Sequence, residues 1–437
     1  MEDEIKLYLN KLFPINRSIT GKGNEKTLQI LNKICPIEIN SIPSGTKCFD
    51  WSVPPEWNVK EAWIKNSKGE KVINFNNSNL HLVSYSCPVN KTIDFNELSS
   101  HLHYLKDKPN SIPYRTSYYK KNWGFCLTYE DYLNLNKNEK YQVFIDSKFN
   151  ENGKMVYGES FKKGKSTKEI LITSYICHPS LANDNLSGVI LSCFLFREIL
   201  KLKNPKYSYR LLLVPETIGP ISWLSKNSSK NIVGGYVISC VAGPDSLGYK
   251  KTFLGNHEID KATKYALKGK KYIKYKFEPI GSDERQFSSP SFRIPTGTIT
   301  KSKYYEYKEY HTSLDNLNFI SPSFLKESLD TYLKSIYYLE CNKIYKRKFG
   351  ECEFMLSKIP NLYPEIGGTI SQPLFISNHN NFKYTKKSNG KILDCISWLM
   401  FGCDGENDLF SIQKKSKLDI DSLIQAANIL KEKKLLI

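Results

Sequence analysis

Two textures of hydrophobic patterning alternate along the chain. Apolar residues at helical spacing mark the first 35 residues: Leu7, Leu9 and Leu12, then Leu28, Ile30 and Leu31. Between them lies the polar turn segment Phe13-Pro-Ile-Asn-Arg-Ser-Ile-Thr-Gly-Lys-Gly. From about 41 to 139, short β-rich runs such as Lys71-Val-Ile-Asn-Phe and Leu80-His-Leu-Val-Ser-Tyr alternate with Pro, Asn and Gly turns. Phe49-Asp-Trp-Ser-Val-Pro-Pro-Glu-Trp sets aromatics beside prolines, as edge strands and packed loops do. This stretch predicts a small β-rich domain inserted into the first one. From about 140 the pattern becomes α/β. Tyr141-Gln-Val-Phe-Ile-Asp reads as a strand, and Glu169-Ile-Leu-Ile-Thr-Ser-Tyr-Ile as a strand buried on both faces. A helix is expected from Leu186 to about Leu202, followed by strands at Tyr209–Pro215 and Tyr236–Val241. Such alternation predicts an α/β fold, a sheet with helices on both faces. After 351 comes a loop-rich stretch, with Tyr363-Pro-Glu-Ile-Gly-Gly and Ser377-Asn-His-Asn-Asn. Three short helices follow, at 392–401, 409–415 and 421–433, the rhythm of a winged-helix unit. The expected organisation is 1–40 with 140–350 as one α/β domain, 41–139 as the β-rich insert and 351–437 as the winged helix.

Composition narrows the classes. A length of 437 residues accommodates about three domains. Hydrophobic residues at 40% and aromatics at 13% exclude a disordered or fibrous chain. Lys+Arg exceed Asp+Glu by 63 to 44, a formal charge of +19. Much of that excess is Lys beside abundant Asn and Ile, which fits a lysine-rich composition better than a nucleic-acid footprint. Residues 351–437 hold 11 Lys and no Arg against 10 acidic residues, a net of +1. Their last helix begins Leu418-Asp-Ile-Asp-Ser, where carboxylates suit the helix dipole and would repel phosphates. A packing or protein-partner role is expected for this unit, not a nucleic acid. The N-terminus, Met1-Glu-Asp-Glu-Ile-Lys, has no apolar core, and no run approaches the ~18 apolar residues of a membrane span. The expectation is a cytoplasmic protein. Its 11 cysteines, scattered from Cys35 to Cys403 with no Cys-x-x-Cys pair, read as core thiols.

Candidate chemistry gathers where strands end. The loop Cys177-His178-Pro-Ser-Leu-Ala-Asn183-Asp184-Asn185-Leu-Ser-Gly follows the central strand, at the end where ligands bind in an open α/β sheet. Asp184 as a helix cap and His178 as a satisfied polar side chain are the plainer alternatives. The next strand also ends in a carboxylate, Leu213-Val-Pro-Glu216-Thr217-Ile-Gly. Farther on lie Ser282-Asp283-Glu284-Arg285-Gln-Phe and Glu309-Tyr310-His311-Thr-Ser-Leu-Asp315-Asn. With only seven histidines in the chain, two in polar loops beside carboxylates stand out. Two neutral imidazoles and a carboxylate leave a fourth zinc position open, and a nearby Glu can take a proton from water there.

In order and wording these motifs resemble the zinc aminopeptidase clan that also holds the glutaminyl cyclases. The whole chain is more closely similar to a bacterial family of aminopeptidase-like proteins with an inserted β domain and a C-terminal winged helix. Genes of that family often sit in surface-polysaccharide clusters. Leu12-Phe-Pro-Ile-Asn-Arg-Ser-Ile-Thr-Gly, Phe49-Asp-Trp-Ser-Val-Pro-Pro-Glu-Trp and Glu309-Tyr-His-Thr-Ser carry the likeness. It implies a zinc-exopeptidase-like mixed sheet in which Asp184 stands at the metal-bridging position, His311 at the second-site histidine, His178 at the upstream histidine and Glu216 at the general base. There are three departures. His178-Pro179-Ser180 replaces His-x-Asp, Thr217 replaces the second Glu of a Glu-Glu pair, and Cys240 falls near a ligand Asp. One Zn2+ per chain is therefore expected rather than two, held by His178, Asp184 and His311, with Glu216 as base or fourth ligand. Cys240 is expected to be a buried structural thiol. Asp283, Glu284 and Arg285 are expected to face the pocket, and Arg115 to reach in from the insert and clamp a substrate carboxylate. The reaction implied is hydrolysis of an amide in a small peptide or an aminoacyl- or acyl-sugar. The alternative is a degenerate peptidase fold that binds or adapts, through its winged helix, as Thr217 and Cys240 would allow.

Overall fold

The apolar run Glu169–Tyr175 is a strand buried at every residue, and it lies near the middle of an eight-stranded sheet. The spatial order is Glu38–Pro43, Lys154–Lys162, Ser208–Val214, Glu169–Tyr175, Ile232–Val237, Thr296–Lys301, Leu247–Lys250 and Ile273–Tyr275. The central four run parallel, and antiparallel pairings join the flanks to them. Parallel strands need crossovers, and the helix Gly188–Leu200 supplies one. It is apolar nearly all round because the sheet covers one face and the helix Glu2–Leu12 packs on it as well, Tyr8 meeting Phe194 at 6.2 Å between ring centroids. Phe194, Leu195 and Phe196 are fully buried, each side chain worth about 1.5–3 kcal/mol of transfer. The mixed sheet with its helices is the α/β architecture expected from the sequence.

The computed structural model describes residues 1–359 and 389–437, so the expected loop motifs at 363–368 and 377–381 lie outside the described residues. The chain divides into two compact units, Met1–Ser335 and Ile336–Ile437. The first holds the large sheet and a second, four-stranded one, in the order Lys71–Asn74, Glu56–Lys65, Lys140–Asn150, Val89–Asp94. Two expectations need correction here. The strand starting at 140 pairs with Glu56–Lys65 and Val89–Asp94, so it belongs to the smaller sheet rather than opening the α/β part. Leu80–Tyr85 is not a continuous strand. Ser78 accepts a hydrogen bond from Leu80 N and caps a short turn of helix at Asn79–His81, and Tyr85 sits at φ 68°. Both features break a ladder. The second unit holds the antiparallel pair Ile344–Lys346 and Asp404–Asp408 and the helices Asn389–Gly402, Leu409–Ser416 and Ile420–Glu432. No helix among the described residues is long and apolar enough to cross a membrane.

One glycine shows how tightly the sheet meets the loop that follows its central strand. A Cβ on Gly188 would lie 2.3 Å from Asn185 Oδ1 and 2.5 Å from the carbonyl oxygen of Ile238. Gly188→Ala must therefore push the helix start off the neighbouring strand end. The expected cost is about 2–3 kcal/mol, read as a lower denaturant midpoint at unchanged slope. An unchanged midpoint would show that the loop yields freely.

Candidate metal centre

Four loops leave the carboxyl ends of the parallel strands, and three of them carry the site. Residues 177–187 follow Glu169–Tyr175, Glu216 and Thr217 follow Ser208–Val214, Cys240 follows Ile232–Val237, and residues 302–315 follow Thr296–Lys301. Asparagines tie these loops together. Asn183 accepts from Ala242 N at 2.9 Å and donates to Ser302 O at 3.1 Å. Asn185 donates to Ser174 Oγ at 2.9 Å and Tyr175 O at 3.1 Å. The Asp184–Asn185 peptide is cis.

His178, Asp184 and His311 converge, with one ligand atom from each lying within 4.8 Å of the others. His311 Nε2 is 3.0 Å from Asp184 Oδ2, and His178 Nε2 is 4.0 Å from the same oxygen. Ligands at ~2.0–2.1 Å around a tetrahedral ion sit roughly 3.3 Å apart, so the set has the right span. His311 Nε2 is buried and, though 3.0 Å from Asp184 Oδ2, makes no hydrogen bond of regular geometry. Two imidazoles and a carboxylate aimed at one point, with one nitrogen unsatisfied, are chemically suited to a divalent metal.

The electrostatics favour the ligating forms. Burial pulls His178 down to about 4, so the imidazole is neutral with a lone pair available. Burial opposes ionisation of Asp184, yet His178, His311 and the Tyr175 hydroxyl together hold it at about 2. Tyr175 donates to Oδ1, leaving Oδ2 for the histidines. His178 is fixed through its backbone: its carbonyl accepts from Arg17 Nε at 2.9 Å, and Arg17 is itself buried and donates to Leu12 O. Glu216 Oε2 lies 3.9 Å from His178 Nε2. Burial, followed by Asp283 and Asp184, pushes its carboxyl well above the usual range.

The remaining candidates fall around this centre. Asp283 accepts from Thr217 N at 2.8 Å, and Arg285 donates to Thr217 Oγ1 at 3.2 Å. Both thus brace the turn that carries Glu216. Burial pushes Asp283 up to about 7, and its Oδ2 is without a partner. Glu284 turns away, to Thr298 and, at 3.7 Å, to Lys250. Arg115 is exposed and donates to the carbonyl of Tyr114, outside the metal cluster. Cys240 is fully buried against Tyr304 and Tyr307 and belongs to neither metal-capable group among the described residues. The thiol that does come close is Cys177, in a second group with His178 and Glu216, its Sγ 3.6 Å from His178 Nδ1. Asp315 takes the backbone N–H of Asn183 at 2.6 Å and of Asp184 at 2.9 Å. Sequence reasoning gave no role to Cys177, Tyr175, Arg17 or Asp315, although all four lie in its motifs.

The family profile described as a domain of unknown function, DUF4910, matches residues 7–342. The chain belongs to this family. A Clostridium acetobutylicum protein is 44% identical over 98% of this chain and 94% of its own. That protein's name assigns it provisionally to polysaccharide biosynthesis, with an aminopeptidase-like domain. A crystal structure from the same organism, of a protein provisionally named a peptidase, aligns at 42% identity with a TM-score of 0.87 over 100% of this chain and 96% of that one. The zinc aminopeptidase BSAP of Bacillus subtilis aligns at 12% identity with a TM-score of 0.56, covering 77% of this chain and 94% of that one. The DUF4910 chain thus has an aminopeptidase-like fold.

Proposed function

We propose that the protein is a zinc-dependent amide hydrolase of aminopeptidase type. Its substrate would be a small peptide or an aminoacyl or acyl amide, and the relative named for polysaccharide biosynthesis favours a sugar-linked one. The observation that carries this reading is the convergence of His178, Asp184 and His311 with His311 Nε2 unsatisfied. These three residues would hold one ion, since Thr217 and Cys240 offer nothing at the positions where the clan adds ligands. When bound, zinc would polarise the amide carbonyl and acidify water. Glu216 Oε2 takes a proton from the attacking water and passes it to the departing nitrogen. Asp283 and Arg285 hold the Thr217 turn so that Glu216 keeps its aim. The expected winged-helix unit, 351–437, is read as a packing or protein-partner module, since Asp419 and Asp421 at the start of its last helix would repel phosphates.

The test is metal content of protein purified without chelators, in wild type and His311→Ala, followed by hydrolysis of aminoacyl p-nitroanilides and N-acyl sugar amides. About one zinc per chain, lost in the variant, together with turnover of one amide class, is expected. No zinc and no stabilisation on adding it would discard the hydrolase in favour of a binding scaffold.

A further inference from the structure

We propose that Tyr114, brought in by the β-rich region, is a catalytic residue whose phenol donates a hydrogen bond to the carbonyl oxygen of the amide under attack. This rests on the amide-hydrolase reading above. The segment 112–114 is zipped onto the loop that carries His311. Tyr114 N donates to His311 O at 2.8 Å, Ile112 N donates to Ser313 Oγ at 3.0 Å, and Ser313 N donates to Ile112 O at 2.8 Å. Pro113 and Thr312 form a β-bridge between them. The Tyr114 ring is thereby fixed relative to the histidines, with its centroid 5.2 Å from each of the His178 and His311 rings. It stands edge-on to His311 at 90°.

The hydroxyl is held but not used up. Its partner is Tyr118 OH at 3.3 Å, about half an ångström longer than an ordinary O–H···O bond. A buried, weakly partnered phenol whose ring lies 5.2 Å from both histidine rings is a preorganised donor for a developing oxyanion. Tyr118 would position it, accepting or releasing that long bond as substrate enters. The β-rich region therefore completes the site instead of merely covering it.

The experiment measures binding of the phosphonic acid analogue of leucine, a tetrahedral anion, to the zinc-loaded full chain by calorimetry. It compares wild type, Tyr114→Phe and Tyr118→Phe. Tyr114→Phe keeps the ring against both histidines, so melting temperature and zinc content should hold. Affinity should fall about ten- to hundredfold, Tyr118→Phe should fall less, and kcat on a turned-over amide should drop with KM little changed. Equal affinity in Tyr114→Phe and wild type would overturn the assignment, as would a larger loss in Tyr118→Phe. A wild-type chain that hydrolyses amides yet ignores the phosphonate would also overturn it and leave the hydrolase standing. A chain that does neither removes both.

Discussion

Glu216→Gln is expected to lower kcat by about 10²–10⁴-fold on any amide the wild-type chain turns over, while zinc content stays at the wild-type level. Glutamine keeps the shape of the side chain and removes its proton affinity, so the substitution isolates proton transfer. The surroundings of Glu216 suit a base. Asp283 and Asp184 add to burial in raising its hold on a proton. Its side chain is 25% exposed, whereas that of Asp184 is 1% exposed. Of the two carboxylates, Glu216 is thus the one that solvent reaches. The backbone around it is pinned, Glu216 N resting on Cys177 Sγ at 3.3 Å and Thr217 N on Asp283. KM should move little, because the loss falls on the transition state. Zinc lost together with activity would make Glu216 the fourth ligand, and full activity would remove it from the chemistry.

Much of the fold is legible in the sequence because its central strands are near-continuous apolar runs, which only a sheet covered on both faces accommodates. His178, Asp184 and Glu216 stand out for a related reason: polar residues that directly follow such strands point into the crevice where ligands bind. The strand at 140–150 was harder to place, since alternation reports a strand and not its partner, and its partners are Glu56–Lys65 and Val89–Asp94. The residues that aim the site are harder still. Arg17 meets His178 across 161 residues, Asp315 meets Asp184 across 131, and Ile112 meets Ser313 across 201. Their roles are set by closure of distant loops, which no local spacing encodes. Arg17 lies in the polar turn after the first helix, where a solvated arginine is the default expectation, yet it is buried. Cys177 and Cys240 show the same limit from the other side. Both follow apolar strands, and only the geometry separates the thiol beside His178 and Glu216 from the one packed among tyrosines.

Asp315→Ala is expected to be among the most damaging single changes to stability, at about 4 kcal/mol. Asp315 is fully buried and accepts three hydrogen bonds, from Asn183 N, Asp184 N and Tyr307 OH at 2.8 Å. Its own carbonyl takes Ala182 N at 2.9 Å, a contact that alanine retains. The variant therefore strands two backbone N–H groups and a phenol where water has little access, each costing about 1–3 kcal/mol. Alanine cannot fill the space left, which adds a cavity cost. For a unit of this size the melting temperature should fall by roughly 5 °C. The effect should also reach the metal, because the same two N–H groups fix the loop that presents Asp184 Oδ2 to His311. Zinc affinity should weaken by about 10–100-fold, the range seen when groups that orient ligands are removed. Both readings come from one pair of samples, by melting with and without zinc and by competition with a chelator. A variant that melts early but holds zinc as wild type would separate Asp315 from the site and leave it a purely structural carboxylate.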